Sequence, residues 1–325
     1  MKQTLLIVLG LSIIANIIGF TYISLNAHPP DGYQSGSADQ YPLLSPRIFA
    51  EKQNDILVNF VKLRADIAAY ISATNLNTDS KKSPSFGMYF EYLPSGISIG
   101  VGEKNSYIAA SLLKVPIIMG VYKYIASGHI HEDDVLTIKD EFLDPSYGDL
   151  WKKGAGSTIS VADAIKLTLI KSDNTAKSVL YGNTPPETLT DVYQYLDIPF
   201  ELNGNVPVVS PKNYSSILRS LYLSSYLTPE YSNKLLTLLT QSDFNDKLSA
   251  GIPDAVKVAH KIGVQDVNNP NGSIYTDCGI VYVPKRPYIL CLMMRDTETN
   301  AQTHMKSISK IIYDYVTKTN TPSSN

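Results

Sequence analysis

Two cysteines, five histidines and a single tryptophan occur in 325 residues. With no His or Cys cluster at metal-ligand spacing, a metal site has no candidate ligands, and no cofactor is expected. Positive charge is scarce as well. Lys and Arg total 28 against 30 Asp and Glu, a formal net charge of -2, so no basic field exists to neutralise phosphates and nucleic acid is excluded as a partner. A hydrophobic fraction of 44% with 18% charged residues excludes disorder and suits one large or two interlocked globular units. Cys278 and Cys291 lie on apolar runs, "TDCGIVYV" and "YILCLMM", joined by the turn-like "PKRP". Pairing Val283 with Tyr288 makes the two sulfurs diagonal neighbours, Cys278 opposite Met293 and Cys291 opposite Ile280. That register favours two buried free thiols over a bridge.

What is present begins with an apolar segment. Leu5 to Leu25 is 21 residues without a charge, spanning roughly 31 Å as a helix, about one bilayer core. The reading is an uncleaved single-pass membrane anchor, with a cleaved signal peptide as its rival. Lys2 precedes the segment and the first later charge is Asp31, which keeps the N-terminus cytoplasmic and places the bulk of the chain on the extracytoplasmic side. The expected organisation is an anchor or signal at 1–26, a Pro/Gly/Ser-rich linker at 27–46, one domain at 47–318 and a polar tail at 319–325.

Within that domain the periodicity predicts a helix over about 60–74, strands at 85–93 and 96–103, and a helical stretch from 111 to about 250. Ser160 is the N-cap of a helix that begins "SVADAIKLTLIK". Strands return near 255–264, 274–283 and 287–294, and a last helix covers about 300–317. The fold class is α+β: an antiparallel sheet built from both chain ends, with a helical insertion between, preceded by one transmembrane helix. A site is expected at the seam of sheet and helices.

"SLLKVP" falls at that seam. Ser111 and Lys114 are one helical turn apart on a helix that is apolar almost all round. A lysine there loses hydration, which lowers its pKa and suits it to act as a base toward the serine. "KSDNTA" brings Ser172, Asp173 and Asn174, and "AHKIGV" brings Lys261, Ile262 and Gly263. The ordered set S-x-x-K, S-D-N, K-[T]-G resembles the signature of class A β-lactamases and penicillin-binding proteins, over about residues 60–317. The resemblance implies a β-lactamase/transpeptidase-like fold with Ser111 as nucleophile and Lys114 as proton acceptor. It further implies Ser172 as proton relay to the leaving nitrogen and Lys261 as the positive group holding it. Asn174, Gly263 and Val264 become substrate-binding positions, with the backbone N–H groups of Ser111 and Val264 receiving the oxyanion. Asp173 is the structural member of its motif.

Other residues take plainer readings. His260 points to the face opposite Lys261 and packs or hydrogen-bonds there; Arg219 is solvated or salt-bridged; Tyr147 and Trp151 are wall or packing residues. Three departures from the family pattern stand out. Aligning Leu202-Asn203 with the family's Leu-Asn puts Pro199 at the position of the deacylating glutamate, and Glu201 replaces it only on a rebuilt loop. Ile262 replaces the threonine that binds a substrate carboxylate, and Cys278 stands where many relatives carry arginine.

Three functions follow as expectations. The first is a membrane-anchored serine hydrolase acting through an acyl-serine on β-lactam or related amides. The second is a D,D-carboxypeptidase or transpeptidase-like cell-wall enzyme, and the third a catalytically weak penicillin- or wall-binding module. The expected partners are a small β-lactam or a peptidoglycan-type peptide, and the membrane through residues 5–25, for a monomer.

Overall fold

Strands that are apolar on both faces need a layer on each side. The computed structural model meets that need; it describes residues 42–43, 59–76, 78, 85–265 and 272–318. In chain order come helix α1 (Val61–Thr74), strands β1 (Phe86–Tyr92), β2 (Ile97–Val101) and β3 (Tyr107–Ile108), and a 3-10 turn at Ala110–Leu113 that runs into α2 (Lys114–Ala126). Then follow β4 (Val135–Thr137), β5 (Thr158–Ser160), α3 (Val161–Ile170), α4 (Asn174–Gly182) and α5 (Glu187–Tyr195). The hairpin strands β6 (Glu201–Asn203) and β7 (Val206–Val209) lead to α6 (Pro211–Tyr222) and α7 (Pro229–Leu239). Strands β8 (Val258–Gln265), β9 (Ser273–Val281) and β10 (Tyr288–Asp296) and helix α8 (Glu298–Lys318) end the described chain.

Five strands form an antiparallel sheet in the order β2-β1-β10-β9-β8, so strands from both ends of the domain meet where β1 pairs with β10. Alternation divides their side chains between two cores. Phe86, Met88, Phe90, Leu290 and Leu292 pack with Leu63 and Ile67 of α1 and Met305, Ile308 and Ile312 of α8. Ile289, Met293 and Ile280 face the helical insertion and pack with Ile118, Val121, Ile217 and Leu218. Truncating one such buried aliphatic side chain to alanine costs about 2–5 kcal/mol. On the same face Glu91, almost fully buried, is held by Arg219 of α6, whose Nε lies 2.7 Å from Oε1. Arg219 is thus salt-bridged, and the α+β sheet with a helical insertion is as the periodicity predicts.

Helix α2 lies in the middle of the insertion, with every residue from Lys114 to Tyr122 buried. Pro116 falls in its first turn, where a missing N–H breaks no helical bond. The helix begins at Lys114 rather than Ser111, because Ala110–Leu113 forms a tighter 3-10 turn.

Two expectations are corrected. Among the described residues no helix is long and apolar enough to cross a membrane, and the segment 5–25 lies outside the described residues. The longest helix, α8, has 21 residues but carries Lys306, Lys310 and Asp314, and its apolar side is taken up by the sheet. The transmembrane helix, the single-pass membrane placement, the membrane as partner and the extracytoplasmic location therefore do not carry into the functional reading. The second correction concerns register. Tyr288 pairs with Val281, not Val283, which sets Cys291 directly opposite Cys278, and the two form a disulfide. The cause is the connection: Pro284 and Pro287 have no N–H to give to a ladder. The Pro287 carbonyl instead accepts from Leu93 N at 3.1 Å.

Candidate active site

Ser111 is placed by strain and close approach. Ala110 has φ 46, a left-handed conformation rare for a residue with a Cβ and found where surrounding structure holds the backbone in a functional arrangement. Strand β8 runs against this turn: a Cβ on Gly263 would come within 3.0 Å of the Ala109 carbonyl and 2.5 Å of Thr276 Oγ1. Glycine at 263 thus lets the K-x-G strand close on the nucleophile turn.

The second element is the junction between α3 and α4. Ser172 also has a left-handed backbone, φ 54. Asp173 follows as the N-cap of α4, its Oδ1 accepting from Ala176 N at 2.8 Å. Its Oδ2 accepts from Asp149 N at 2.8 Å and Leu150 N at 2.9 Å. Gly148 packs so tightly against this carboxylate that a Cβ would lie 2.1 Å from Oδ2. Asp173 therefore ties two loops together, in agreement with its structural reading.

These elements converge on Lys114. Its Nζ is 3.0 Å from Ser111 Oγ, 3.0 Å from Ser172 Oγ and 2.6 Å from Asn174 Oδ1, and it also donates to the Ser172 carbonyl. Lys261 Nζ, from β8, donates to Ser172 Oγ at 2.9 Å. Asn174 is oriented by its Nδ2 donating to Ser146 Oγ at 2.9 Å. Lys114 is only 3% exposed. Burial, with the charges of Lys261 and Lys177 nearby, brings it down to about 6 against the pull of Asp173 and Asp144. Burial likewise lowers Lys261 to about 7, with Asp277 opposing. An amine at about 6 is neutral at pH 7 and can take a proton from the hydroxyl beside it.

Ser111, Lys114, Ser172, Asn174 and Val264 border one cavity of about 720 Å³. Lys261 and Gly263 stand directly behind that wall. Tyr147 lines the cavity too, whereas Trp151 does not. His260 lies on the opposite face of β8, fully buried, its Nδ1 2.8 Å from Asp277 Oδ1. Glu201 is not brought to the site. It is exposed on β6, and its carboxylate accepts from Ser106 Oγ at 3.2 Å. The β6–β7 hairpin is held by the pairing of β7 with β3, and Phe200 and Pro207 from this segment line the cavity. No Asp or Glu is among the described residues lining it.

Sequence reasoning missed Lys177, Tyr181, Leu189 and Ile117, which extend the cavity beyond the motifs. For Lys177 the signal was available, since it follows Asn174 by one helical turn.

Comparison with known proteins agrees with this geometry. A family model described as the Beta-lactamase enzyme family matches residues 62–316. A beta-lactamase of Phocaeicola vulgatus is 24% identical over 253 residues, covering 70% of this chain and 78% of that protein. Among solved structures, PBP-A superposes with a TM-score of 0.67 at 23% identity, over 78% of this chain and 96% of PBP-A. A single-substitution mutant of PBP-A, captured as an acyl-enzyme complex with penicillin-G, gives a TM-score of 0.67 at 22% identity, over 78% of this chain and 96% of that one. A beta-lactamase of Sphaerobacter thermophilus gives 0.68 at 16% identity, over 80% and 98% of the two chains. With the match running through all three motifs and nearly the whole described domain, the chain belongs to the Beta-lactamase enzyme family.

Proposed function

We propose that the chain is an active-site-serine hydrolase that reacts with β-lactams or related amides through an acyl-serine. The observation that carries this reading is Lys114 Nζ standing 3.0 Å from both hydroxyls, Ser111 Oγ and Ser172 Oγ, at a pKa of about 6. Ser111 Oγ attacks the amide carbonyl and gives its proton to the neutral Lys114. The carbonyl oxygen becomes an oxyanion, received by the backbone N–H groups of Ser111 and Val264. When the C–N bond breaks, the leaving nitrogen takes a proton from Ser172 Oγ, and Lys114 replaces it. Lys261 keeps Ser172 in place and supplies the positive charge for a substrate carboxylate, in the absence of a hydroxyl at Ile262. Water then cleaves the ester, returning the proton to Ser111.

Clearance is the slow half. The described lining residues offer no carboxylate to activate water, and general-base assistance is worth about 10²–10⁴-fold in rate. That same observation supports a second reading, in which an amine rather than water takes the acyl group, as in a D,D-peptidase or transpeptidase. The test is intact-mass spectrometry with a penicillin, followed over time with and without an amine acceptor. A persistent adduct equal in mass to the whole penicillin is expected on wild type and none on Ser111→Ala; equal labelling of the two sinks the assignment.

A further inference from the structure

Helix α4 carries two cavity-facing residues beyond the S-D-N motif, Lys177 and Tyr181, three and seven positions after Asn174. Residues three and four apart on a helix share a face, so Asn174 and Lys177 stand one above the other in the same cavity. Lys177 is half-buried, and loss of hydration lowers its pKa while Asp144 pulls the other way through space. Asp144 does not approach as a partner: its carboxylate is engaged by the backbone N–H of Ser146 at 2.9 Å and by the Ser146 hydroxyl. Among the described residues Lys177 forms no ion pair and no side-chain hydrogen bond. Ile117, Tyr181, Leu189 and Phe200 line the same cavity, together with the polar Ser146 and Asn174. A partly desolvated ammonium that Asp144 reaches only through space, in a cavity lined by no acid, gains from a ligand that brings an anion to it.

The other cation near the nucleophile is differently placed. Lys261 reaches Ser172 from β8, whereas Lys177 stands one helical turn beyond Asn174 in the same cavity, the side left to the acyl portion if the leaving nitrogen is at Ser172. We infer that Lys177 is a specificity residue that receives a carboxylate borne on the acyl side chain of the substrate, so the enzyme favours acyl donors with an acidic side chain. This rests on the acyl-serine reading above. The volume of about 720 Å³ admits a side chain several atoms long between Ser111 and that ammonium.

The experiment uses the full chain and two penicillins that share one nucleus and differ only in the acyl side chain, hexanoyl against adipyl, so that one terminal carboxylate separates them. Second-order acylation rates are read by intact-mass spectrometry. Wild type is expected to acylate about tenfold or more faster with the adipyl compound, with that ratio falling as salt is added. Lys177→Met brings the ratio to about one, and Lys177→Arg restores it. A wild-type ratio near one overturns the inference, as does a preference that survives in Lys177→Met. If neither penicillin forms an adduct, the acyl-serine reading falls and this inference falls with it; adducts at equal rates overturn the inference alone.

Discussion

Replacing Lys114 by methionine removes the proposed acylating base and also a buried ionisable group whose pKa differs widely between folded and unfolded chain. Lys114 moves from 10.5 to about 6 on folding, mainly through burial. Between those values the unfolded chain binds the extra proton. Stability therefore rises with pH across that window, by about 1.4 kcal/mol per pH unit. Below about 6 both states are protonated, and the penalty is constant and largest; above 10.5 it is gone. With the side chain almost wholly buried, solvent screening removes little of this. Lys261, lowered to about 7, adds a slope of its own above that value in both proteins, so the difference between them reports Lys114 together with its coupling to Lys261. From about pH 6.5 to about pH 8.5 wild type is expected to gain about 2–3 kcal/mol relative to Lys114→Met. Urea titrations of both proteins at three pH values and fixed ionic strength measure it, provided the m-values agree. Parallel stability profiles would mean that Lys114 stays charged in the folded protein, and a charged lysine cannot deprotonate Ser111.

Three further expectations are simpler. Asp173→Ala leaves the buried N–H groups of Ala176 and Leu150 and the part-buried one of Asp149 without their acceptor, so urea denaturation should show a loss of about 3 kcal/mol or more; a loss under about 1 kcal/mol contradicts the tying role. The Cys278–Cys291 bridge spans 13 positions, a loop whose closure is worth about 3 kcal/mol in the chain-entropy account. Wild type in reductant should therefore melt with the Cys278→Ala/Cys291→Ala double variant, and below oxidised wild type. Glu201→Gln should leave clearance of a penicilloyl adduct within about twofold of wild type in time-resolved mass spectra, because its carboxylate faces Ser106. A collapse of clearance in that variant would make Glu201 the base.

How much of this was legible depended on whether the determinant was local. Ser111 and Lys114 share one turn, and Ser172 and Asn174 share another, so the motif text held their mutual geometry; Lys261 came from the resemblance of its K-x-G text to the third family motif, and alternation along β8 turned His260 away from it. The register of β9 on β10 was not local. Besides the prolines of the connection, it involved the Pro287 carbonyl accepting from Leu93, in the turn between the distant strands β1 and β2, and a two-residue slip hid the disulfide. The β6–β7 hairpin carried a turn signal, Asn203-Gly204, with Gly204 at φ 62. Its strands are short and largely exposed, however, and too weakly patterned to be read as strands. Asp277, which accepts from Leu248 N and meets His260, belongs to no motif. Its role emerges only when β8 and β9 are paired.

One structural change links the two halves of the proposed reaction. Where the loop between α5 and α6 folds as a hairpin pinned to β3, Glu201 is exposed and Phe200 and Pro207 line the cavity that Lys114 also borders. A carboxylate at that wall would raise the pKa of Lys114, as Asp173 and Asp144 already do from farther off, and would hold the amine in its charged form. Its absence leaves burial and two neighbouring lysines to dominate, which holds Lys114 down at about 6, as the proposed role of a neutral base requires. The same absence removes the group that would activate water on the ester. Restoring an acid there, for example by Phe200→Glu, is thus expected to shorten the life of the adduct and to move the acylation pH profile upward together. A variant that did one without the other would show that the base for Ser111 and the fate of the acyl group are set by different parts of the site.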